Sequence, residues 1–190
     1  HYQVSGLPAA TDYAIRVRRI GWHDIRTSGS TPDQGGQQLD FTMVQHTDMA
    51  KVAAQLPANH WYALVLERLT DENEREQLVR QCNMCHQQGN AATRLQRPPE
   101  EWHKVLSLMA RMGGGLEMEF RKKLPELFNS AYDPKTAVPR LTKDFGQPDF
   151  APPPDAEVRQ AVIDEYEVGG RSSMQHDMII HSDGYAYSVD

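Results

Sequence analysis

The two cysteines of this chain and one of its histidines form a compact group near the middle of the sequence. Cys82 and Cys85 are separated by two residues, and His86 follows directly. Two thiols at this spacing can form thioethers with the two vinyl groups of a haem, and the adjoining imidazole can bind the iron. The C-x-x-C-H pattern therefore predicts one covalently attached haem c.

Other chemistries of a paired cysteine agree less well with the rest of the sequence. A tetrahedral zinc site needs four ligands, and no second Cys/His pair has a suitable spacing. A thioredoxin-like dithiol is expected after a strand within a βαβ unit, whereas a polar helical segment precedes Cys82. A redox dithiol and an incomplete metal site stay the alternatives to the haem.

The second axial ligand of such an iron is open from the residues alone. Three methionines, Met109, Met112 and Met118, follow the motif, and a thioether is a soft ligand that suits ferrous haem. On one helix Met109 and Met112 are about 60° apart, so either could face the iron. At most one of the three can bind, and the others would fill the core. His103 is the histidine alternative.

Three helices are predicted around the motif. Thr70 and Asp71 are candidate N-caps of a helix that runs into the C-x-x-C-H residues. A second helix begins at the Pro-Pro-Glu of 98–100 and ends at the glycines of 113–115. A third helix follows, and Pro125 is predicted to kink it or to begin it.

The two ends of the chain have the patterns of β-structure. Alternating or apolar stretches predict strands at 13–17, 39–43, 162–168, 178–180 and 185–187. Residues 28–38 are rich in Gly, Ser, Pro and Gln and are predicted to form a loop. Two or three strands make only a marginal sheet on their own, so both ends are expected to pair with other structure.

The middle of the chain resembles the small mono-haem cytochrome c domains that are appended to oxidoreductases. The resemblance covers about residues 70–133. It is carried by Cys82-Asn83-Met84-Cys85-His86, then Arg94, then Glu101-Trp102 and Met109. It implies His86 as the proximal ligand of the iron and Met109 as the distal ligand. Met112, which the triple glycine follows directly, stays the alternative.

Two further residues of this region are predicted to contact the haem. Arg94, like Arg97, could pair with a haem propionate, because a guanidinium matches a carboxylate bidentately. Trp102 could pack against the edge of the porphyrin. The alternatives are that the arginines are solvated loop residues and that Trp102 is buried in the core of a small domain.

Both ends resemble pieces of other domains. Residues 2–43 resemble the closing strands of a carboxypeptidase-regulatory-like β-sandwich, on Tyr2-Gln-Val-Ser-Gly6-Leu7-Pro8, Tyr13-Ala-Ile-Arg-Val17 and Ile20-Gly21-Trp22. Residues 158–190 are similar to the start of a β-propeller of the virginiamycin B lyase type, on Glu165-Tyr166-Glu-Val168, His176-Asp177, Ser182-Asp183-Gly184 and Tyr187. A propeller needs at least four blades, so lyase activity is not implied.

These features predict an α+β chain that is organised by segments, with a small all-α domain in the middle and incomplete β segments at both ends. The expected units are the end of a β-sandwich at 1–44, a linker with a short helix at 45–69, a cytochrome c haem domain at 70–133, a Pro-rich linker at 134–157 and a propeller-like start at 158–190.

Composition narrows the partners that this chain could have. The 190 residues have a net charge of -6, and the basic residues are scattered, which disfavours nucleic acid. No apolar run approaches the roughly 18 to 20 residues that cross a bilayer. The expected partner is a redox protein, or other parts of the same multidomain protein, in a larger periplasmic or otherwise extracytoplasmic assembly.

Three functions follow from this reading. The first is one-electron transfer through the single haem, as a module of an oxidoreductase rather than as a catalyst by itself. The second is a haem enzyme or small-ligand site with an open axial position, since neither Met109 nor Met112 is certain to bind the iron. The third is a mainly structural subunit, whose unpaired β edges bind partner chains.

Overall fold

The computed structural model describes residues 6–33, 35–147, 157 and 177–189. Within these residues the chain forms six helices and two β-hairpins. The predicted mixture of a helical middle with short β segments at both ends is therefore confirmed. The strand predicted at 162–168 lies outside the described residues.

The elements follow one another in a simple order. The strands are β1 (Asp12–Val17), β2 (Ile25–Ser30), β3 (Asp177–Ile180) and β4 (Ala186–Val189). The helices are α1 (Met49–Gln55), α2 (Ala58–Leu66), α3 (Glu72–Cys82), α4 (Pro99–Arg111), α5 (Met118–Ala131) and α6 (Pro134–Thr142). Strands β3 and β4 form the antiparallel hairpin that the sequence predicts there.

The first hairpin confirms one predicted strand and corrects another. Strand β1 pairs antiparallel with β2, in a register that runs from Asp12 opposite Ser30 to Val17 opposite Ile25. The prediction of a strand at 39–43 is wrong, and part of the predicted loop at 28–38 belongs to β2. The chain returns directly after β1, so the backbone of the polar segment 25–30 pairs with it without needing an apolar pattern.

Local signals place the ends of α3, α4 and α5. The Asp71 carboxylate accepts a hydrogen bond from the Glu74 amide at 3.0 Å and caps α3, which ends at Cys82. Helix α4 begins at Pro99, as predicted, and ends just before the three glycines. Pro125 lies inside α5 and does not begin it.

The segment 45–69 is more than a linker with a short helix. The predicted break at Leu56-Pro57 is present, but a helix precedes it and another follows it. Both helices contribute buried side chains, among them Val52, Trp61 and Val65. The helical unit therefore includes α1 and α2, because the apolar surface of α3–α5 is buried against them.

The predicted extended linker at 134–157 is wrong for its first nine residues, which form α6. Proline is compatible with the first turn of a helix, where its missing N–H would have no partner in any case. Pro134 occupies that turn, and Asp133 caps it by accepting from the Lys135 amide at 3.0 Å. Ala137 is buried in the core. Pro134 therefore begins a helix here instead of extending the chain, and Pro139 lies inside that helix.

One apolar core joins these helices. Its buried members are Ala53, Leu56, Trp61, Tyr62, Leu64, Val65, Leu78, Trp102, Leu106, Phe120, Leu124, Phe128, Ala131, Tyr132 and Ala137. Aromatic rings stack through its centre, with centroids 5.1 Å apart for Trp102 and Phe128 and 6.0 Å apart for Phe128 and Tyr132. The core holds α3, α4 and α5 in fixed relative positions.

The loop of the first hairpin is attached to the helices by the side chain of Gln55 and by the packing of Ile20 against the helical core. Gln55, at the end of α1, accepts a hydrogen bond from the Gly21 amide at 2.7 Å and donates one to the Trp22 carbonyl at 2.7 Å. A Cβ at Gly21 would overlap the ring of Phe145. In the described part of the chain, no helix is long and apolar enough to span a membrane.

Candidate haem site

The C-x-x-C-H residues lie where α3 ends. Cys82 is the last residue of that helix and is partly buried, whereas Cys85 and His86 lie in the following turn and are exposed. Neither cysteine is in a disulfide. Both thiols are therefore free to form other covalent bonds, and the imidazole is accessible from solvent.

Burial distinguishes the two thiols chemically. It raises the pKa of the Cys82 thiol to about 11, so this thiol is protonated at neutral pH. In reactive dithiols of the C-x-x-C type, a cysteine pKa is lowered instead, because the thiolate is the nucleophile. The environment of Cys82 is therefore unlike that of a dithiol oxidoreductase.

The ring of His86 presents one nitrogen to the protein. Its Nδ1 lies 3.3 Å from the Gln87 carbonyl oxygen and 3.4 Å from the Nε2 of Gln88. The other ring nitrogen, Nε2, makes no hydrogen bond to the described residues. A metal-binding histidine usually donates its second ring N–H to a carbonyl or carboxylate. The arrangement at His86 leaves Nε2 available to an iron.

The loop after the motif is pressed against α2. Gln88 donates a hydrogen bond from its side-chain amide to the Cys82 carbonyl at 2.9 Å. Gly89 is buried with a φ of +83°, and a Cβ there would overlap the Ala58 carbonyl oxygen and lie 2.7 Å from the Tyr62 amide nitrogen. Only glycine accommodates both the backbone angle and the close approach.

Arg94 lies against an aromatic ring of α2. Its guanidinium carbon is 4.2 Å from the centroid of the Trp61 ring, a distance at which cation and ring attract each other. Its Nη2 also donates to the Ala54 carbonyl at 3.4 Å. Partial burial lowers the pKa of Arg94. This arginine is packed on the helical unit and is not simply a solvated loop residue.

Trp102 is buried in the core, which is the alternative to a haem contact that the sequence left open. Its side chain is 3% exposed, and its indole N–H donates to the Asn129 side-chain oxygen at 3.0 Å. Arg97 lies over its ring at 5.0 Å and donates to the carbonyls of Ala92 and Leu95.

Helix α4 ends beside the end of α3. The Gly115 amide donates to the side chain of Gln81 at 3.1 Å, and the Glu117 amide donates to the side chain of Gln77 at 3.0 Å. These bonds tie the loop after α4 to the last turns of α3, next to Cys82. Met109 and Met112 lie near the end of α4, so these bonds bring them to the side of the helical unit that carries the C-x-x-C-H residues.

The candidate second ligands differ in exposure. Met109 is partly buried, whereas Met112 is 50% exposed and Met118, at the start of α5, is 65% exposed. The Met109 backbone is held by hydrogen bonds from the amides at 112 and 114. His103 is exposed and lines a surface cavity with Lys122. Met109 is therefore the least exposed of the four candidates.

Two tyrosines near Cys82 have no counterpart among the residues predicted from the sequence. Tyr62 and Tyr132 are buried; the Tyr132 hydroxyl has no hydrogen-bond partner within the described ranges, and the Tyr62 hydroxyl lies beside the Asn83 side chain. Each interacts electrostatically with the Cys82 thiol, and burial raises the pKa of both phenols. Buried hydroxyls are rarely left unpaired. Their apolar spacing in the sequence indicates only core positions.

The donor set present here fits a covalently held haem. Two free thiols flank a turn, and the Nε2 of the adjoining imidazole makes no hydrogen bond to the described residues. Among the described residues, no group of three or more His, Cys, Asp or Glu side chains is arranged to hold a metal ion. Comparisons of this chain with protein-family models, with curated proteins and with solved structures found no match.

Proposed function

We propose that this chain is an electron-transfer module that carries one covalently attached c-type haem. The observation that carries the proposal is the pair of free thiols at C-x-x-C spacing, followed at once by a histidine whose Nε2 has no hydrogen-bond partner in the part of the chain that the structure describes. When bound, the haem supplies a one-electron iron couple. Cys82 and Cys85 would hold it through thioethers, and His86 would bind the iron.

The second ligand proposed is the Met109 thioether, with Met112 as the alternative. Met109 is the most buried of the three methionines that follow the motif, and its helix is tied to the end of α3 through Gln81. Both helices are anchored in the apolar core, α3 through Leu78 and α4 through Trp102 and Leu106. Ligands on a rigid frame move little when the charge of the iron changes, and this favours fast electron exchange with a redox partner.

A small-ligand site is the second candidate function. Its supporting observation is that Met112 and Met118 are at least half exposed and Met109 is only partly buried. A thioether that is not packed in one position can leave the iron open to a gas or peroxide.

The proposed haem and the two β-rich ends favour a module of a larger extracytoplasmic redox assembly. In such an assembly, exposed apolar residues of the second hairpin, such as Ile180 and Tyr185, would contact other chains.

Expression together with a haem-attachment system tests the proposal. The purified chain is expected to keep its colour through denaturation and extraction with acidified acetone, and to have a sharp α-band after reduction. Replacing Cys82 and Cys85 together by alanine is expected to remove the colour. Colour that washes out of the unsubstituted chain, or that never forms, would contradict the haem.

Matched methionine variants separate the two functions. Met109→Leu is expected to create binding of carbon monoxide to the reduced protein, whereas Met118→Leu leaves the unsubstituted behaviour unchanged. If the unsubstituted reduced protein already binds carbon monoxide readily, the axial position is open and the small-ligand function replaces electron transfer. If only Met112→Leu creates the binding, Met112 is the ligand.

A further inference from the structure

The imidazole of His86 lies between a hydrogen-bond acceptor and a hydrogen-bond donor. Its Nδ1 is 3.3 Å from the Gln87 carbonyl oxygen, which only accepts, and 3.4 Å from the Nε2 of Gln88, which only donates. A protonated Nδ1 can donate to Gln87, and an unprotonated Nδ1 can accept from Gln88. The two contacts therefore favour opposite tautomers, and only the first leaves a lone pair on Nε2 for a metal.

The orientation of the Gln88 amide follows from its second contact. The same Nε2 donates to the Cys82 carbonyl oxygen at 2.9 Å. A carbonyl cannot donate, so the amide group that faces this oxygen is the NH₂ and not the side-chain oxygen. The Cys82 carbonyl is one of the last of α3, where helical carbonyls lack partners within the helix. A donor, and not an acceptor, therefore faces the His86 ring.

The backbone keeps Gln88 at this point. The next residue, Gly89, is buried against the start of α2, and its positive φ and close contact with the Ala58 carbonyl hold the loop. Gln88 therefore connects three features: the helix end that carries the first cysteine, the imidazole, and a loop that packs closely against α2.

We propose that Gln88 is a positioning residue for His86 that sets how strongly the imidazole donates electrons to a bound iron. This inference rests on the proposed haem. The positive end of an N–H dipole that faces Nδ1 opposes positive charge on the imidazole and on an iron bound to it, and so favours ferrous over ferric iron. A carboxylate at the same place would accept the Nδ1 proton and make the ring a stronger ligand, as carboxylate partners do for other metal-binding histidines.

The loaded protein tests this with two variants of equal charge. Gln88→Glu is expected to lower the equilibrium constant for reduction about tenfold relative to Gln87→Glu, which is about 59 mV for one electron. Gln87 is the matched control because its side chain is exposed and only its carbonyl contacts the imidazole. Gln88→Leu removes the dipole without adding charge, and a smaller decrease is expected.

The haem-free protein provides an independent measurement. Nitrogen NMR of the His86 ring reports which nitrogen carries the proton. Gln88→Leu is expected to shift the ratio about threefold toward the tautomer with the proton on Nδ1, because one hydrogen bond that opposes it is lost. The tautomer ratio also tests the role of Gln88 if the Gln88→Glu variant fails to take up haem.

The outcomes separate the two proposals. A chain that never attaches haem contradicts the proposed function, while the tautomer ratio of the haem-free protein still tests the role of Gln88. Equal potentials for Gln88→Glu and Gln87→Glu in proteins with attached haem would overturn that role. So would a tautomer ratio that Gln88→Leu leaves unchanged.

Discussion

The approach of Gly89 to helix α2 can be tested with Gly89→Ala. Alanine at a left-handed φ of +83° costs about 1–2 kcal/mol by itself. Its Cβ would also overlap the Ala58 carbonyl oxygen and lie 2.7 Å from the Tyr62 amide nitrogen. Both atoms belong to the backbone of α2 and cannot rotate away, and relieving such overpacking costs about 1–3 kcal/mol more. The expected loss in the free energy of unfolding is the sum, about 2–5 kcal/mol.

Gly113→Ala is the matched control for this prediction. Gly113 also has a positive φ, +104°, but a Cβ there would meet nothing within 4 Å. Only the backbone angle is penalised, so a loss of about 1–2 kcal/mol is expected. Urea denaturation of both variants measures the difference between their losses in the free energy of unfolding. This difference isolates the cost of the contact with α2. Equal losses for Gly89→Ala and Gly113→Ala would refute the close approach of the loop to the helix.

Two further predictions concern the core and the thiols. Asn129→Ala is expected to lower the free energy of unfolding by about 1–3 kcal/mol, since it leaves the buried Trp102 N–H without its acceptor. Ser130→Ala, at an exposed neighbouring site, should change the free energy of unfolding little when both variants are compared by urea denaturation, and similar losses would contradict the role of Asn129. In the haem-free protein at pH 8, iodoacetamide is expected to modify Cys85 well before Cys82, because a pKa of about 11 leaves only about a thousandth of Cys82 as thiolate. The rate of modification at Cys82 should rise as the pH approaches 11. If mass spectrometry finds equal rates of modification at Cys82 and Cys85 at pH 8, the burial of Cys82 is contradicted.

The elements that sequence analysis predicted correctly depend on neighbouring residues. The cap at Asp71, the proline at the start of α4 and the glycines after it act over one or two turns of chain. The spacing of the motif is equally local. Such signals can be read from the sequence because the physical interaction lies within the same short segment.

The predictions that were wrong concern segments whose structure depends on contacts with other segments. Strand β2 pairs through its backbone with β1, so its polar side chains carry no strand pattern. Helix α6 contains two prolines, and what stabilises it includes the burial of Ala137 in a core built mostly from residues far earlier in the chain. A linker and a helix of this composition differ only in whether such a surface is present to pack against.

The candidate site divides in the same way. The sequence by itself determined the two thiols, the adjoining histidine and the helix that ends at them, because these follow from spacing and capping within a few residues. Only the tertiary structure decided that Gly89 contacts α2, that Trp102 is buried against Phe128, and that Gln88 faces the His86 ring. Those arrangements depend on the packing of separate segments and on the folded path of a loop, and no local pattern of residue types encodes either.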